Sequence, residues 1–391
     1  MENTTVRSSL TLVTLIVLLL SSLLLMSCDS VPVSDSTTSV LPASTKVSSE
    51  NPVQQQIAAH FASLVQPDGP GFAYLIVRGE TMLSSGATGW ANIAEQTPNN
   101  LNIKFRIGSI TKSFTAVAVL QLVEQEKLNV DDPLSRYFEG FPNGDQILLR
   151  HLLTHTSGIV DAKSEEAPFK LDEPYSMNDH VSWMKTRKLA FEPGEQWGYG
   201  NSAYVLLGLV VEQVSGQTLQ DYMEEHIFEP LDMQDTVLYD NATAYRNAAL
   251  GYSLVDGAYV PALDMYSGNW TGAGAGQSTV GDLHKWNVGL NTGKLLSPAL
   301  YRQAITPVQF DDDYKPFVAY GFGLAMEEIA GVATVGHLGH QFGYHADVIW
   351  APKEKISYVM LSNANQYELI DKHRAAHAVL DIVLNQGHQT H

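Results

Sequence analysis

The sequence predicts an α+β protein: an antiparallel sheet built from both chain ends and flanked by helices, with an all-helical region inserted between. Three observations carry this. Phe72–Val77, then Gly79-Glu80, then Met82-Leu83 reads as strand, turn and strand. Asp347–Trp350, then Pro352–Lys355, then Ile356–Leu361 reads the same way near the other end, and Ile370–Leu384 follows as a helix. Between them, from about residue 131 to 290, helical signals dominate: His151–Thr154, Tyr204–Val214, Leu219–His226 and Gly281–Leu290. Strands at the ends and helices between give a sheet domain with an insertion, and a catalytic site belongs where the two regions meet.

The chain opens on a different kind of sequence. Leu10–Met26 is an almost unbroken apolar run preceded by Arg7, long for a signal segment and short for a membrane span. It ends at Leu25-Met26-Ser27-Cys28, which resembles a bacterial lipobox and marks Cys28 for lipidation; an uncleaved helical anchor is the alternative. Asp29 to about Pro52, rich in Ser, Thr, Val and Pro, reads as a flexible tether. The expected organisation is a lipoprotein-type signal over 1–28, a tether over 29–53 and a hydrolase domain over 54–388. Cys28 is the one cysteine of 391 residues, so no intrachain disulfide forms. These features point to the cell envelope, with the protein held by lipid on the outer side of the cytoplasmic membrane.

Lys and Arg number 23 against 42 Asp and Glu, a net charge of −19 with no basic run, which excludes nucleic acid as a partner. Asp311-Asp312-Asp313 reads as a solvated loop, since no glycine-turned ligand loop surrounds it.

Ser109-Ile-Thr-Lys112 sits where a helix begins, with Phe114, Val117, Ala118 and Leu122 following at helical spacing. That spacing lays the amine one turn along from the hydroxyl, on the same face. Serine needs a base to attack a carbonyl, and a lysine whose pKa is lowered by burial supplies one. Spacing alone does not decide: Ser182-Trp-Met-Lys185 has it too.

Context favours Ser109. Phe105–Ala116 closely resembles the nucleophile motif of the serine β-lactamase and penicillin-binding-protein superfamily, nearest its class C β-lactamase and DD-peptidase branch. The resemblance runs over most of 54–385, through Leu152–Gly158, Phe191–Glu195, Gly274–Leu283 and Tyr320–Leu324. It implies a Tyr-x-Asn motif, which Tyr199-Gly-Asn201, Tyr239-Asp-Asn241 and Tyr245-Arg-Asn247 all fit. The first alone follows the Pro-Gly-Glu segment and precedes an apolar helix. By resemblance Tyr199 shuttles protons, its phenol lowered by nearby cations, and Asn201 hydrogen-bonds the substrate amide or Lys112. Gly336–Gly343 stands where relatives carry Lys-Thr-Gly or Lys-Ser-Gly. His337 takes the cation position, Gly339 admits the substrate backbone, and the backbone N–H groups of Ser109 and His340 form the oxyanion hole.

This stretch departs from the pattern. Leu338 removes a hydroxyl that helps hold a substrate carboxylate, and His337 is charged only part of the time near neutral pH. Weaker β-lactam and carboxypeptidase activity is expected, with esters and small amides favoured. Other chemistries are poorly supported. His151 and His155 have zinc-ligand spacing, but Leu152 replaces the glutamate of a metalloprotease. His337, His340 and His345 alternate faces along a strand. Gly272–Gly276 lacks a following Gly-Lys-Ser/Thr, and no Gly-x-Ser-x-Gly occurs. The expectation is an exported serine hydrolase with no cofactor and no metal, acting on a small-molecule or peptide substrate. The rival is a non-catalytic cell-envelope sensor on the same fold.

Overall fold

The computed structural model describes residues 52–66, 68–162, 167–238, 247–308, 319–365 and 374–385. The apolar run, Cys28 and nearly all of the tether lie outside these residues, as do Tyr239, Asn241, Tyr245 and the Asp311–Asp313 run.

A seven-stranded antiparallel sheet joins the two ends of the chain, as expected. Its order is Ala319–Tyr320, Ala325–Ile329, Val332–Gln341, Tyr344–Ala351, Ile356–Ser362, Phe72–Arg78, Thr81–Thr88. The first five of these strands run as a meander in chain order, and the N-terminal hairpin adds at its end through Phe72↔Ser362 and Arg78↔Ile356. Phe72–Arg78 and Ile356–Ser362 are buried almost throughout, because helices cover both faces of the sheet.

One face is covered by the helices Pro52–Ser63 and Arg374–Asn385. Val53, Ile57 and Phe61 fall four apart and form one apolar stripe on the first of these. Phe61 stacks on Tyr74 of the sheet with ring centroids 3.9 Å apart. This helix starts at Pro52, within the last two residues of the stretch 29–53 expected as tether.

The other face meets the larger core. Its centre is the helix Thr111–Glu124, in which every residue from Thr111 to Leu122 is buried. Such a helix has no solvent face, which is why it lacks an amphipathic pattern. Asn201–Ser215 and Val280–Asn291 pack around it, with Phe114 edge-on to Trp286 at 4.5 Å.

The inserted region is mainly helical, but the expectation of an all-helical insertion needs correction. Gly276–Ser278 pairs with Phe105–Gly108 on one side and with Val237–Leu238 on the other in a small sheet, and Tyr252–Val255 and Ala258–Pro261 form a hairpin. These strands have two to four residues, too short to show a period of two. The small sheet matters for the site, because Phe105–Gly108 leads directly into Ser109.

Candidate active site

Ser109 lies just ahead of the central helix, which begins at Thr111. Thr111 anchors this junction: its hydroxyl donates to the Gly108 carbonyl at 2.7 Å and accepts the Gly276 N–H at 2.9 Å. Lys112, one residue into the helix, is fully buried. Its Nζ stands 3.0 Å from Ser109 Oγ, 2.8 Å from Asn201 Oδ1 and 2.8 Å from the Ala273 carbonyl oxygen. The expected pairing is therefore present in space. The competing tetrad is not: Ser182 is exposed on the helix Met177–Lys185, and Lys185 donates to the Glu139 carbonyl.

Asn201 opens the helix Asn201–Ser215, and Tyr199 precedes it by two residues. The Tyr199 hydroxyl hydrogen-bonds Ser109, and Lys112 Nζ lies 4.9 Å from the centre of the Tyr199 ring. Burial, reinforced more weakly by the Asp161 charge, raises the Tyr199 pKa despite the bond to Ser109. This corrects the expectation of a lowered phenol pKa. Desolvation outweighs any attraction to the amine, so Tyr199 holds its proton near neutral pH.

His337 comes from the strand Val332–Gln341 and is buried. Burial, and secondly Lys112, push its pKa down to about 3. The expected partly charged histidine is thus a neutral one. Its Nδ1 meets the Leu338 carbonyl oxygen, and its Nε2 lies 2.9 Å from the Tyr320 hydroxyl.

Gly339 also has a role within the chain. A Cβ built there would come within 1.9 Å of the Ile107 carbonyl oxygen, so the missing side chain makes room for the nucleophile segment of this same chain. Gly108 answers it from the other side. Its φ is +50°, and a Cβ there would lie 2.7 Å from the His340 carbonyl oxygen and 2.8 Å from the His340 nitrogen. Two glycines therefore press the residue before Ser109 against the backbone of His340.

Three contributors were missed in the sequence. Asp161, a few residues beyond the Leu152–Gly158 signature, accepts from Asn201 Nδ2 at 2.9 Å, Asn201 N at 3.2 Å, Ser202 Oγ at 3.1 Å and Ser202 N at 3.3 Å. A carboxylate only accepts, so it fixes which end of the Asn201 amide faces it and leaves Oδ1 toward Lys112. It also caps the helix start with negative charge. The Ala273 carbonyl is the second, brought in by the short glycine-rich helix Thr271–Gly274. His155 is the third. Its spacing from His151 pointed only to a poorly supported metal site, yet its ring lies 4.3 Å from Tyr199 and 5.0 Å from Tyr320. Burial, with Lys112 second, drops its pKa well below the usual value, and its Nδ1 accepts the Gly200 N–H at 3.3 Å. Among the described residues, no group of three or more His, Cys, Asp or Glu side chains is placed to hold a metal ion.

Residues 56–381 match the Beta-lactamase family. The chain belongs to that family. Among its relatives, the chain is similar to the penicillin-binding protein PbpX of Bacillus subtilis (strain 168), at 32% identity over 61% of this chain and 59% of PbpX. It is 26% identical to a D-aminopeptidase of Brucella anthropi over 75% of this chain and 56% of that one. The match thus spans less than two thirds of either relative's length. Among solved structures, D-amino acid amidase from Ochrobactrum anthropi SV3, complexed with L-phenylalanine amide, superposes with a TM-score of 0.72 at 25% identity, covering 86% of this chain and 98% of the amidase. Within this Beta-lactamase family chain, the Ser109, Lys112, Tyr199 and Asn201 cluster is the candidate active site.

Proposed function

We propose that the protein is a serine hydrolase that cleaves an amide or ester through an acyl-serine intermediate. The observation that carries this is the setting of Lys112. Asn201 Oδ1 and the Ala273 carbonyl can only accept, so each takes an N–H from Nζ. A neutral amine has two such hydrogens, and its lone pair then falls along the third direction, toward Ser109 Oγ at 3.0 Å. Burial eases loss of the amine proton: protonated, Lys112 is the cation that helps keep His337 and His155 neutral, and deprotonated, it is the base.

In this reading Lys112 takes the Ser109 proton as Oγ attacks the carbonyl carbon. The oxyanion is met by the backbone N–H groups of Ser109 and His340, whose segments the two glycines bring together. Tyr199, protonated at rest, passes a proton to the leaving group and recovers one by way of Lys112. Water then releases the acyl group from Ser109. The names of the relatives, D-aminopeptidase and D-amino acid amidase, support D-amino-acid amides and peptides as first candidates beside small esters. A β-lactam is the weaker candidate, because His337 is neutral where a substrate carboxylate would want a cation.

The proposal extends to location: an exported protein, anchored through Cys28 and working on the outer side of the cytoplasmic membrane. The Leu10–Met26 run and the tether composition support it. Metabolic labelling with an alkynyl fatty acid should mark the wild type and miss Cys28→Ser; equal labelling of both would refute lipidation. For the activity, a panel of short aryl esters, D-amino-acid amides, D-dipeptides and a chromogenic cephalosporin should show turnover of the uncharged substrates, lost in Ser109→Ala. Undiminished turnover in that variant would refute the reading.

A further inference from the structure

Among the described residues, seven large apolar side chains are exposed, and five of them fall in two short stretches: Leu254, Val255, Val260 and Leu263 in one, Phe342 in the other. Scattered exposed apolar residues are ordinary, but such grouping marks a binding surface.

The two stretches are fastened together beside the nucleophile. Phe342 and Gly343 make the two-residue turn that follows the strand Val332–Gln341. Gly343 has a φ of +75°, and a Cβ there would lie 2.6 Å from Ala262 Cβ and 2.7 Å from Gly251 Cα, so the turn lies against the base of the hairpin Tyr252–Pro261. The Ala262 N–H donates to the Gly251 carbonyl at 2.9 Å. On the other side of Leu263, Asp264 pairs with Arg106, and Arg106 Nη1 donates to the Met265 carbonyl at 3.2 Å. Arg106 stands three residues ahead of Ser109. Leu263 is thus pinned between the strand turn and the nucleophile segment.

The strand also gives the site a direction. His337 lies toward Tyr199, with ring centroids 6.4 Å apart, and Tyr199 is the proton donor to the leaving group in the reading above. His340 lies against Gly108 and supplies an oxyanion N–H in that reading. The leaving group therefore departs toward His337, and the acyl group extends the other way, past His340. Gln341 turns inward to the Gly274 carbonyl at 3.4 Å, so Phe342 is the next exposed side chain on that path. It lies about 7 Å beyond His340 at the rise of a strand.

We propose that Phe342 and Leu263 form an apolar ledge that receives the acyl part of the substrate, so that the enzyme selects esters and amides of acids with a sizeable apolar group. The proposal rests on the acyl-serine reading. An acetyl methyl stops short of the ledge, whereas a longer or aromatic acyl group reaches it and covers both side chains. A second copy of the chain is the less suitable occupant, because it brings the same net charge of −19 to the contact. A fully buried methylene is worth about fourfold in kcat/KM, and one laid on a ledge open to water about twofold.

The test is the chain-length dependence of kcat/KM on para-nitrophenyl acetate, butanoate and hexanoate, each divided by the alkaline hydrolysis rate of the same ester. In the wild type, hexanoate should exceed acetate by about tenfold or more. Phe342→Ser and Leu263→Ser should each cut that ratio by about threefold or more, and the double variant should bring it near one. Met82→Ser removes an exposed apolar side chain from the edge strand Thr81–Thr88 and should keep the wild-type ratio. A second series, hexanoate esters of alcohols of differing size, should show the same leaving-group preference in wild type and Phe342→Ser. Melting curves establish that each variant is folded. A ratio near one in the wild type, an unchanged ratio in both folded ledge variants, or an equal fall in Met82→Ser would overturn the proposal. So would a leaving-group preference that shifts in Phe342→Ser, or a dimer that Phe342→Ser dissociates with the ratio unchanged, which would make this face a contact between copies. Failure of the underlying reading has a different signature: turnover that is absent for every ester, or that survives in Ser109→Ala, removes the acyl-serine intermediate and the role of the ledge with it.

Discussion

Gly339→Ala isolates the close approach between the strand Val332–Gln341 and the nucleophile segment. The added Cβ would sit 1.9 Å from the Ile107 carbonyl oxygen, and real Cβ contacts begin near 3.0 Å, so about 1.1 Å must open between the two segments. Ala346 Cβ lies 3.3 Å away on the neighbouring strand and hinders the alanine from moving back. The gap therefore opens between Ile107 and the strand, beside the backbone of Ser109 and His340 that is proposed to hold the oxyanion. A misplacement of about 1 Å costs on the order of 10²-fold in rate, and loss of one oxyanion donor costs about 10²–10³-fold. We expect kcat on an aryl ester to fall by about 10²-fold, with a fluorophosphonate still reacting at Ser109, only more slowly. Thermal melting run beside the kinetics separates this from unfolding. Full activity in folded Gly339→Ala, or a loss no greater than the unfolded fraction, would refute the reasoning.

Three further outcomes follow from the same geometry. Asp161→Asn presents an amide that need no longer hold Asn201 Nδ2, so Asn201 can turn its Nδ2 toward Lys112; kcat should drop by about 10–100-fold, and an unchanged kcat would show that Asp161 has no positioning role. Lys112→Met keeps the side-chain volume and removes a buried amine, so kcat should fall by about 10³-fold or more while the melting temperature holds or rises; retained turnover would remove Lys112 as the base. For pH, the unfolded chain protonates its histidines near 6.5, whereas the fold holds His337 to about 3 and His180 to about 4 by burial. The unfolded state then binds more protons between those values, so stability falls as pH drops from 6.5 toward 4. Urea midpoints should decline across that window, and His337→Gln should flatten the decline; a midpoint independent of pH there would contradict both shifts.

Much of the fold was legible because it obeys local rules. The two hairpins at Phe72–Thr88 and Tyr344–Ser362 show apolar strands broken by turn residues. Ser109 and Lys112 are one helical turn apart, and Tyr199 and Asn201 flank a helix start, so short-range geometry already placed each pair. The illegible parts depend on distance or burial. Asp161 reaches Asn201 across 40 residues, and Tyr320 reaches His337 from two strands away. No spacing rule announces such contacts. The protonation of Tyr199 and His337 went against expectation because residue type gives the charge partners but not the desolvation, and desolvation is the larger cause at both. The strand alone does not reveal that Ile107 lies against Gly339, a contact between segments far apart in the chain.

The central claim is that Ser109 is the nucleophile and Lys112 its base. Intact-mass analysis after incubation with a fluorophosphonate, followed by peptide mapping, tests it most directly. A single adduct on Ser109 is expected, formed much more slowly in Lys112→Met and not at all in Ser109→Ala. An adduct on another residue, or equal labelling in Ser109→Ala, would contradict it.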